Sequence, residues 1–322
     1  MPKFTSNSYH PPKWLVNGHF DTIYPALFRK VKPIKTPESH IIDTPDNDVF
    51  DLDYYNSNSN RTVIISHGLE GNNKRPYVLG MVNAFISDGW NAIAWNYRGC
   101  NGTPNKTIKS YHSGFTEDLK EVIKFAKSDD GISALALVGF SLGGNMTLKY
   151  LSESEVEANV LAGVGISVPL DLHGACIQIS SPSNKIYARR FLKSLKRKMR
   201  EKSKMFTNIN TESLSQIKDL KTFDDFYTAP LHGFKDALDY YNSCSSIKIL
   251  DRIKSPALII NALNDPFLPE SCYPKEKFIN NPQIYFEFPK RGGHVGFYAK
   301  NREGIYWSEK RTLEFVHSVI SI

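Results

Sequence analysis

The amino-acid sequence predicts an α/β fold with a mostly parallel central sheet, helices on both faces and an inserted helical cap. In residues 41–169 and 236–322, short β-branched runs alternate with segments of helical spacing. Parallel strands need long crossover connections, which helices provide. Residues 63–65 and 134–138 are apolar without alternation, as in strands that are buried on both faces of a sheet. We therefore assign these two ranges of the chain to one core.

The individual elements follow from local patterns. Residues 40–42 and 49–55 predict a hairpin around a turn at 46–48. Short runs of apolar and β-branched residues predict further strands at 62–66, 91–96, 134–140, 160–168, 256–261 and 284–288. Helical spacing predicts helices at 76–88, 116–128, 142–151 and 307–320. Gly89 directly follows the first of these helices, as expected of a C-terminal cap.

Two parts of the chain interrupt the alternation. Residues 1–40 contain six prolines and predict an irregular arm packed on the body, and residues 170–235 predict a helical cap insertion. Within the cap, apolar residues at positions i, i+3, i+4, i+7 and i+11 predict an amphipathic helix: Ala188, Phe191, Leu192, Leu195 and Met199. Its apolar side either packs over the active site or adsorbs to a lipid surface.

The positive charge is concentrated in one segment. Residues 185–204 contain ten Lys or Arg and one Glu, a local charge of +9, whereas the whole chain has a net charge of +7. A general nucleic-acid binder would spread basic residues over a larger surface, so no nucleic-acid partner is expected. Peripheral contact of residues 185–204 with an anionic membrane surface is the alternative that this charge leaves open.

Targeting signals and cysteines indicate the compartment. Residues 1–7 lack a basic region followed by an apolar run, and no segment approaches the roughly 18–20 apolar residues that span a bilayer. The four cysteines (100, 176, 244 and 272) match neither a zinc site nor a dense disulfide framework. Reduced thiols and a cytoplasmic location are therefore expected, while the oligomeric state is left open.

The strongest chemical signal is the string Gly139-Phe140-Ser141-Leu142-Gly143, which lies between a predicted strand and a predicted helix. In that context a strained turn exposes a serine hydroxyl at the carboxyl end of a sheet, and the flanking glycines relieve crowding. The following helix directs its N-terminal N–H groups at the same place. The alternative is a chance match in a loop, which the strand and helix on either side disfavour.

A serine nucleophile needs a base and an acid, which in this arrangement follow in the order serine, acid, histidine. His294 follows Gly292-Gly293 in a loop after the last strand and is the predicted base, whereas His317 lies within the closing helix as a surface or packing residue. Asp265 follows the strand at 256–261 and is the predicted acid, although an Asp before Pro is also a common turn residue.

The oxyanion of an acyl-transfer intermediate requires backbone donors. We predict these donors to be the N–H groups of Leu142 and Leu69, the latter in the loop His67-Gly68-Leu69-Glu70-Gly71. His67 is interpreted as bracing this loop.

Other conspicuous residues have structural interpretations. Residues 98–102 predict a shaped loop at the rim of the site, and Cys100 has no histidine placed as its base. His112 and His173 lack metal-ligand spacing, so neither a metal nor a cofactor is predicted.

Several separate strings resemble one family. They are Asn17-Gly18-His19-Phe20 with Thr22-Ile23, His67-Gly68-Leu69-Glu70-Gly71, Arg75-Pro76-Tyr77, Tyr111-His112-Ser113-Gly114, residues 139–146, Ala229-Pro230-Leu231-His232-Gly233-Phe234, Asn264-Asp265-Pro266-Phe267, and Gly292-Gly293-His294-Val295-Gly296-Phe297. In this order they are similar to the YheT-type family of α/β-fold hydrolases, whose eukaryotic relatives include medium-chain ester hydrolases and synthases and a phospholipase. The resemblance covers most of the chain. It implies an α/β-hydrolase fold, a Ser141–Asp265–His294 charge relay and carboxylic-ester substrates.

The predicted function is hydrolysis of small-molecule carboxylic esters, with short- to medium-chain acyl groups, through an acyl-enzyme. An acyltransferase that forms esters would use the same acyl-enzyme, and a lipase could act on phospholipid or acylglycerol at a membrane surface. A non-catalytic binding protein is the third alternative, which the intact serine, acid and histidine disfavour.

Overall fold

A single nine-stranded sheet forms the centre of the molecule. The computed structural model describes residues 3–4, 9–128, 131–153, 156–274, 280–301 and 303–320. The strands are β1 (Lys3–Phe4), β2 (Glu38–Asp43), β3 (Val49–Tyr55), β4 (Arg61–Ser66), β5 (Asn91–Trp95), β6 (Ala134–Phe140), β7 (Val160–Ile166), β8 (Ala257–Ile260) and β9 (Ile284–Glu287). Their order is β1-β9-β8-β7-β6-β4-β5-β3-β2, and only β3 runs antiparallel to its neighbours β2 and β5. The predicted α/β class with a mostly parallel sheet is confirmed.

Ten helices connect or cover these strands in the described part of the chain. They are α1 (Gly18–Phe28), α2 (Pro76–Ser87), α3 (Thr116–Lys127), α4 (Leu142–Leu151), α5 (Leu172–Ser180), α6 (Lys185–Ser203), α7 (Leu220–Phe223), α8 (Ala229–Leu231), α9 (Ala237–Cys244) and α10 (Trp307–Val319). Short 3₁₀ or π turns lie at Pro182–Asn184, Glu212–Ser215, Asp224–Thr228, Ser246–Lys248, Leu250–Arg252 and Glu270–Cys272. The helices and strands that the sequence predicts in the core all form, with ends shifted by at most two residues.

Both faces of the sheet are buried. Along β4, Ile64 belongs to the apolar cluster on one face, while Val63 and Ile65 belong to the cluster on the other. All three side chains are fully buried. Uninterrupted apolar runs are thus the pattern of strands that helices cover on both sides.

The arm is more regular than its prolines suggest. The predicted irregular structure is wrong for Gly18–Phe28, which forms α1. Asn17 starts this helix because its side chain accepts hydrogen bonds from the N–H groups of His19 and Phe20. Pro25 lies inside the helix, and the other prolines of the arm lie outside it. The prediction for residues 1–7 falls mostly outside the described residues.

A third apolar cluster joins the helices of the cap. It contains Leu172 and Cys176 of α5, Leu192 and Met199 of α6, and further residues that extend to Cys244 at the end of α9. The predicted cap boundary at residue 235 stays a prediction, but the packing continues one helix beyond it.

A buried arginine ties the loop after β5 to the hairpin. Arg98 makes two bonds of 2.6 and 2.9 Å to Asp46 and further bonds to Asp118 and Asp48. Its side chain is 2% exposed, and its guanidinium lies 5.0 Å from the centre of the Phe115 ring. Removing one member of a buried ion network leaves its partners charged and unpaired, which is costly.

We expect Arg98→Met to lower the free energy of unfolding by about 3–5 kcal/mol, because three carboxylates lose their shared partner. Denaturant titration measures this change. Lys124→Met is the matched control, since Lys124 is 77% exposed and pairs with Glu121 at 3.5 Å; its effect should stay within about 0.5 kcal/mol. Equal losses in the two variants would contradict a structural role for the Arg98 network.

Candidate active site

Ser141 lies in a strained turn between β6 and α4. Its backbone has φ of 54° and ψ of −117°, a conformation that is rare for a residue other than glycine. A Cβ atom at Gly143 would lie 2.5 Å from the carbonyl oxygen of Ser66, and a Cβ at Gly139 would overlap the Gly143 carbonyl. The two glycines of the motif are therefore required by close packing of the turn against β4 and α4.

The structure brings the three predicted side chains together. The Oγ of Ser141 lies 2.9 Å from Nε2 of His294, and Nδ1 of the same ring lies 2.8 Å from Oδ2 of Asp265. The Asp265 side chain is fully buried and also accepts a bond from the Phe267 N–H at 2.9 Å. The His294 side chain is 11% exposed. This arrangement can pass a proton from the hydroxyl to the imidazole while the carboxylate fixes the ring.

The arm positions the loop that contains His294. The Oγ1 of Thr22 accepts the His294 N–H at 2.8 Å and donates to the Gly18 carbonyl at 2.6 Å. Asp21 is buried, pairs with Arg291 at 3.0 Å and accepts a bond from Asn264, the residue before Asp265. One helix of the arm thus fixes the loops of both the predicted base and the predicted acid.

Sequence reasoning missed Thr22 and Asp21 as residues of the site, although Thr22 belongs to one of the strings that carry the family resemblance. No spacing rule connects residue 22 with residue 294, because their contact depends on the tertiary fold. The close approach is visible at Gly293, where φ is 60° and a Cβ would lie 2.7 Å from the Thr22 nitrogen.

The two predicted oxyanion donors border the same cavity as Ser141. Leu142 is the first residue of α4, so its N–H is one of the helix N-terminal donors that lack an intrahelical partner. Leu69 and Leu142 both line the cavity with Ser141. Among the hydrogen bonds of the described residues, none is donated by either of these backbone N–H groups. Leu69 and Leu142 therefore remain the predicted oxyanion donors.

His67 holds the loop of Leu69 from inside the protein. Its Nδ1 lies 2.8 Å from the Gly68 carbonyl, and its Nε2 accepts the Tyr97 N–H at 3.3 Å. Complete burial lowers the pKa of His67 to about 3, so the ring is neutral at physiological pH. Because Nδ1 faces a carbonyl oxygen and Nε2 accepts an N–H, the proton of the neutral ring lies on Nδ1. The His67 ring is fully buried and braces the loop of Leu69.

A cavity of about 460 Å³ lies between Ser141 and the cap. Its walls are mainly apolar side chains of the cap helices, together with Leu69 and Phe267 of the core: Leu172, Ala175, Ile179, Phe191, Leu195, Met199, Leu220, Phe223, Tyr227 and Leu231. The apolar side of α6 therefore packs over the active site, which decides between the two interpretations of its amphipathic pattern. Only the outer, basic side of α6 remains available for contact with a lipid surface.

Two basic residues of α6 point inward. Lys198 pairs with Glu70 at 2.7 Å, and Ser194 also bonds the Glu70 carboxylate. Glu70 is held further by Tyr111, which donates to its carboxylate at 2.7 Å and accepts its N–H at 3.0 Å. The cap is thereby connected to the residue next to the predicted oxyanion donor Leu69.

Lys202 makes the second inward contact. Its ammonium donates to the carbonyl groups of Thr107, Ile108 and Lys109 at 2.6–2.9 Å. Burial lowers the pKa of Lys202 to about 7. The basic segment is therefore divided between an outer surface and contacts that attach the cap to the core.

The remaining candidates have other surroundings. Cys100 is buried, and burial raises the pKa of its thiol. His112 lies against His232, with ring centres 4.5 Å apart, and burial lowers the pKa of both. His173 stacks on Tyr241, and His317 lies 2.6 Å from Asp88 on the outside of α10.

Metal binding by the described residues would need clustered ligands, and a membrane span would need a long apolar helix. No group of three or more His, Cys, Asp or Glu there is arranged to hold a metal ion. No helix in those ranges combines the length and apolar character needed to cross a bilayer. The four cysteines are free and buried.

Comparisons with known proteins agree with this fold and motif set. Residues 61–300 match the family model described as alpha/beta hydrolase fold. The protein YheT of Escherichia coli strain K12 is 34% identical over 300 residues, covering 91% of this chain and 88% of YheT. The medium-chain fatty acid ethyl ester synthase/esterase 2 of Saccharomyces cerevisiae is 27% identical and covers 79% of this chain and 61% of the yeast protein.

The structure is also similar to that of the Pyrococcus furiosus esterase Pf2001, with a TM-score of 0.58 and 16% identity over the full length of both chains. At that identity the likeness concerns the fold alone. The family model and the similarity to YheT each extend over most of the sequence, and the matched residues 61–300 of the family model include Ser141, Asp265 and His294. The chain is a hydrolase that belongs to the α/β-hydrolase fold family.

Proposed function

We propose that this protein hydrolyses carboxylic esters through an acyl-enzyme on Ser141. The single observation that carries the proposal is the chain of two hydrogen bonds from Asp265 through His294 to Ser141. It ends at a strained serine on the floor of an apolar cavity. This geometry serves nucleophilic attack on an acyl group bound in that cavity.

In the proposed first step, the Oγ of Ser141 attacks the ester carbonyl carbon while Nε2 of His294 accepts the hydroxyl proton. The N–H groups of Leu69 and Leu142 stabilise the tetrahedral oxyanion, and Asp265 stabilises the imidazolium. The alkoxide leaves with the proton from His294, and Ser141 remains acylated. A water molecule then gives its proton to His294, attacks the acyl carbon and releases the carboxylic acid, with the proton returning to Ser141.

The cavity supports an acyl group of short to medium length. Its volume of about 460 Å³ lies near the lower end of ligand pockets, which typically measure about 300–1,000 Å³. Apolar side chains from α5, α6 and α7 form its walls, and Ser141 lies at its floor. Acyl methylene groups would gain burial against these walls, and the cap helices that form them would set the chain length that the cavity accepts.

Acyl transfer to an alcohol is the second candidate. The cap covers the proposed acyl-enzyme and is attached to the core by Lys198 and Lys202. The apolar walls lower the local concentration of water relative to that of an alcohol with an apolar chain, which favours the alcohol as the second acceptor. The yeast relative is named for both ester synthesis and hydrolysis.

Replacement of the nucleophile tests the proposal directly. We expect Ser141→Ala to lower turnover of an activated ester by about 10⁶-fold, because the other members of the relay act only through the serine. The variant should also lose covalent labelling by a fluorophosphonate probe. The exposed Ser133 provides the control Ser133→Ala, which should retain both. Turnover at a tenth of the wild-type value in Ser141→Ala would remove Ser141 from the mechanism.

A series of p-nitrophenyl esters from acetate to palmitate tests which acyl-chain lengths the cavity accepts. We expect kcat/KM to be highest for short to medium chains and to fall for long ones. Leu195→Trp fills part of the cavity and should shift the optimum to shorter chains, whereas Leu238→Trp, on the exposed side of α9, should not. Product analysis with added ethanol separates hydrolysis from transfer. An unchanged chain profile in Leu195→Trp would place the acyl group elsewhere.

Thr22 is expected to act as a positioning residue for the base. Thr22→Val removes the bond to the His294 N–H, and kcat should fall about tenfold because the imidazole is less well oriented. KM should change little, and Thr22→Ser should restore most of the activity, because its hydroxyl can make the same bond. Thr36→Val in the exposed part of the arm is the control. If Thr22→Ser is as impaired as Thr22→Val, the hydroxyl is not the cause.

A further inference from the structure

Exposed apolar side chains are concentrated in the arm. Of the fourteen large hydrophobic residues that are exposed in the described part of the chain, six lie within residues 14–28. They are Trp14, Val16, Phe20, Ile23, Leu27 and Phe28, and we call this set the arm face. Scattered exposed hydrophobic residues are normal, but a contiguous group indicates an interaction surface.

The arm face is built on an amphipathic helix whose apolar side points outward. Phe20, Ile23 and Leu27 follow the i, i+3, i+7 spacing and are 55%, 40% and 64% exposed. The opposite side of α1 is buried, because Asp21 and Thr22 hold the loop of His294. The helix cannot turn its apolar residues inward without breaking those contacts.

The surroundings of the arm face are positively charged. Four exposed lysines flank it: Lys13, Lys30, Lys32 and Lys35. The only acidic residue between positions 13 and 35 is Asp21, which is buried and paired with Arg291. An exposed apolar strip with a basic border is complementary to an anionic lipid surface.

The basic outer side of α6 adjoins the arm face. His19 of α1 lies with its Nδ1 3.2 Å from the hydroxyl of Tyr187 of α6, and their rings stack. Ile186, the neighbour of Tyr187, is 78% exposed. The outer side of α6 presents further exposed cations: Lys185, Arg189, Arg190, Lys193, Arg197 and Arg200. The two helices thus form one apolar and cationic surface.

This surface lies close to the active site. The Tyr187 ring is 4.7 Å from the ring of Phe267, a residue that lines the cavity, and Phe267 is 4.3 Å from the His294 ring. The Phe267 side chain therefore lies between Tyr187, at the junction of α1 and α6, and the predicted base. A lipid docked on this junction would be near the catalytic centre.

We propose that the arm face inserts into the interface of an anionic phospholipid bilayer, while the lysines of the arm and the outer cations of α6 contact the headgroups. A second copy of the chain fits the surface poorly, since a twofold contact would place two rows of exposed cations against each other. The docking does not depend on the proposed hydrolysis. It would deliver esters dissolved in the bilayer to the cavity.

Vesicle co-sedimentation tests the proposal with the full-length protein. We expect binding to vesicles that contain phosphatidylglycerol, much weaker binding to pure phosphatidylcholine, and loss of binding at high ionic strength. Phe20→Gln/Leu27→Gln should lower the partition coefficient by about tenfold or more, because two apolar anchors no longer insert. Arg189→Gln/Arg190→Gln/Lys193→Gln should weaken the salt dependence.

The matched control is Ile41→Gln/Leu238→Gln, which removes two exposed apolar residues from β2 and α9, and it should bind within about twofold of the wild type. Thermal unfolding verifies that each variant is folded. Ser141→Ala protein should bind vesicles as the wild type does, which separates docking from catalysis. Equal binding by Phe20→Gln/Leu27→Gln and the control, or no preference for anionic vesicles, would overturn the proposal. So would a dimer in size-exclusion chromatography that the Phe20→Gln/Leu27→Gln variant dissociates.

Discussion

The close packing around Ser141 is the constraint on which the rest of the site depends. The serine backbone is held at positive φ only because β6, α4 and the loop after β4 meet without an intervening Cβ at Gly139 and Gly143. Such strain costs about 1–3 kcal/mol and persists where surrounding structure enforces it. Because of this backbone conformation the Ser141 hydroxyl projects from the sheet, and the first N–H group of α4 lies beside it.

The chemistry-bearing residues were predictable because local rules specify them. A serine between two glycines at a strand-to-helix junction, followed by an acid and a histidine after later strands, is readable from the chain, and the geometry joins Ser141, Asp265 and His294. Thr22 was not predictable as a support of the base, because no local rule pairs it with residue 294. The prolines of the arm led the sequence analysis to predict irregular structure at Gly18–Phe28. The helix forms there because Asn17 caps its first turn and one of its faces is buried.

The cationic side chains of residues 185–204 lie in two different environments. Helical rotation directs Lys198 and Lys202 toward the core, where Glu70 and three carbonyl groups receive them, while residues such as Arg189 face solvent. Counting charges along the sequence cannot tell which lysines point inward, because that depends on the position in the fold of Glu70, which lies more than a hundred residues from Lys198. The amphipathic period predicted the buried apolar side correctly, and the structure identifies the cavity as its neighbour.

The arm and the loops of the predicted acid and base lie far apart in the sequence and meet in the fold, and this affects the order in which the candidate site forms. β1 pairs with β9, and α1 holds loops that come more than 240 residues later. A ribosome releases the arm well before these loops, at about 5–20 residues per second. During that interval the arm is a nascent apolar segment without its binding site. The predicted base reaches its supported position only after both loops have left the ribosome, so the candidate site cannot form while the arm alone is exposed.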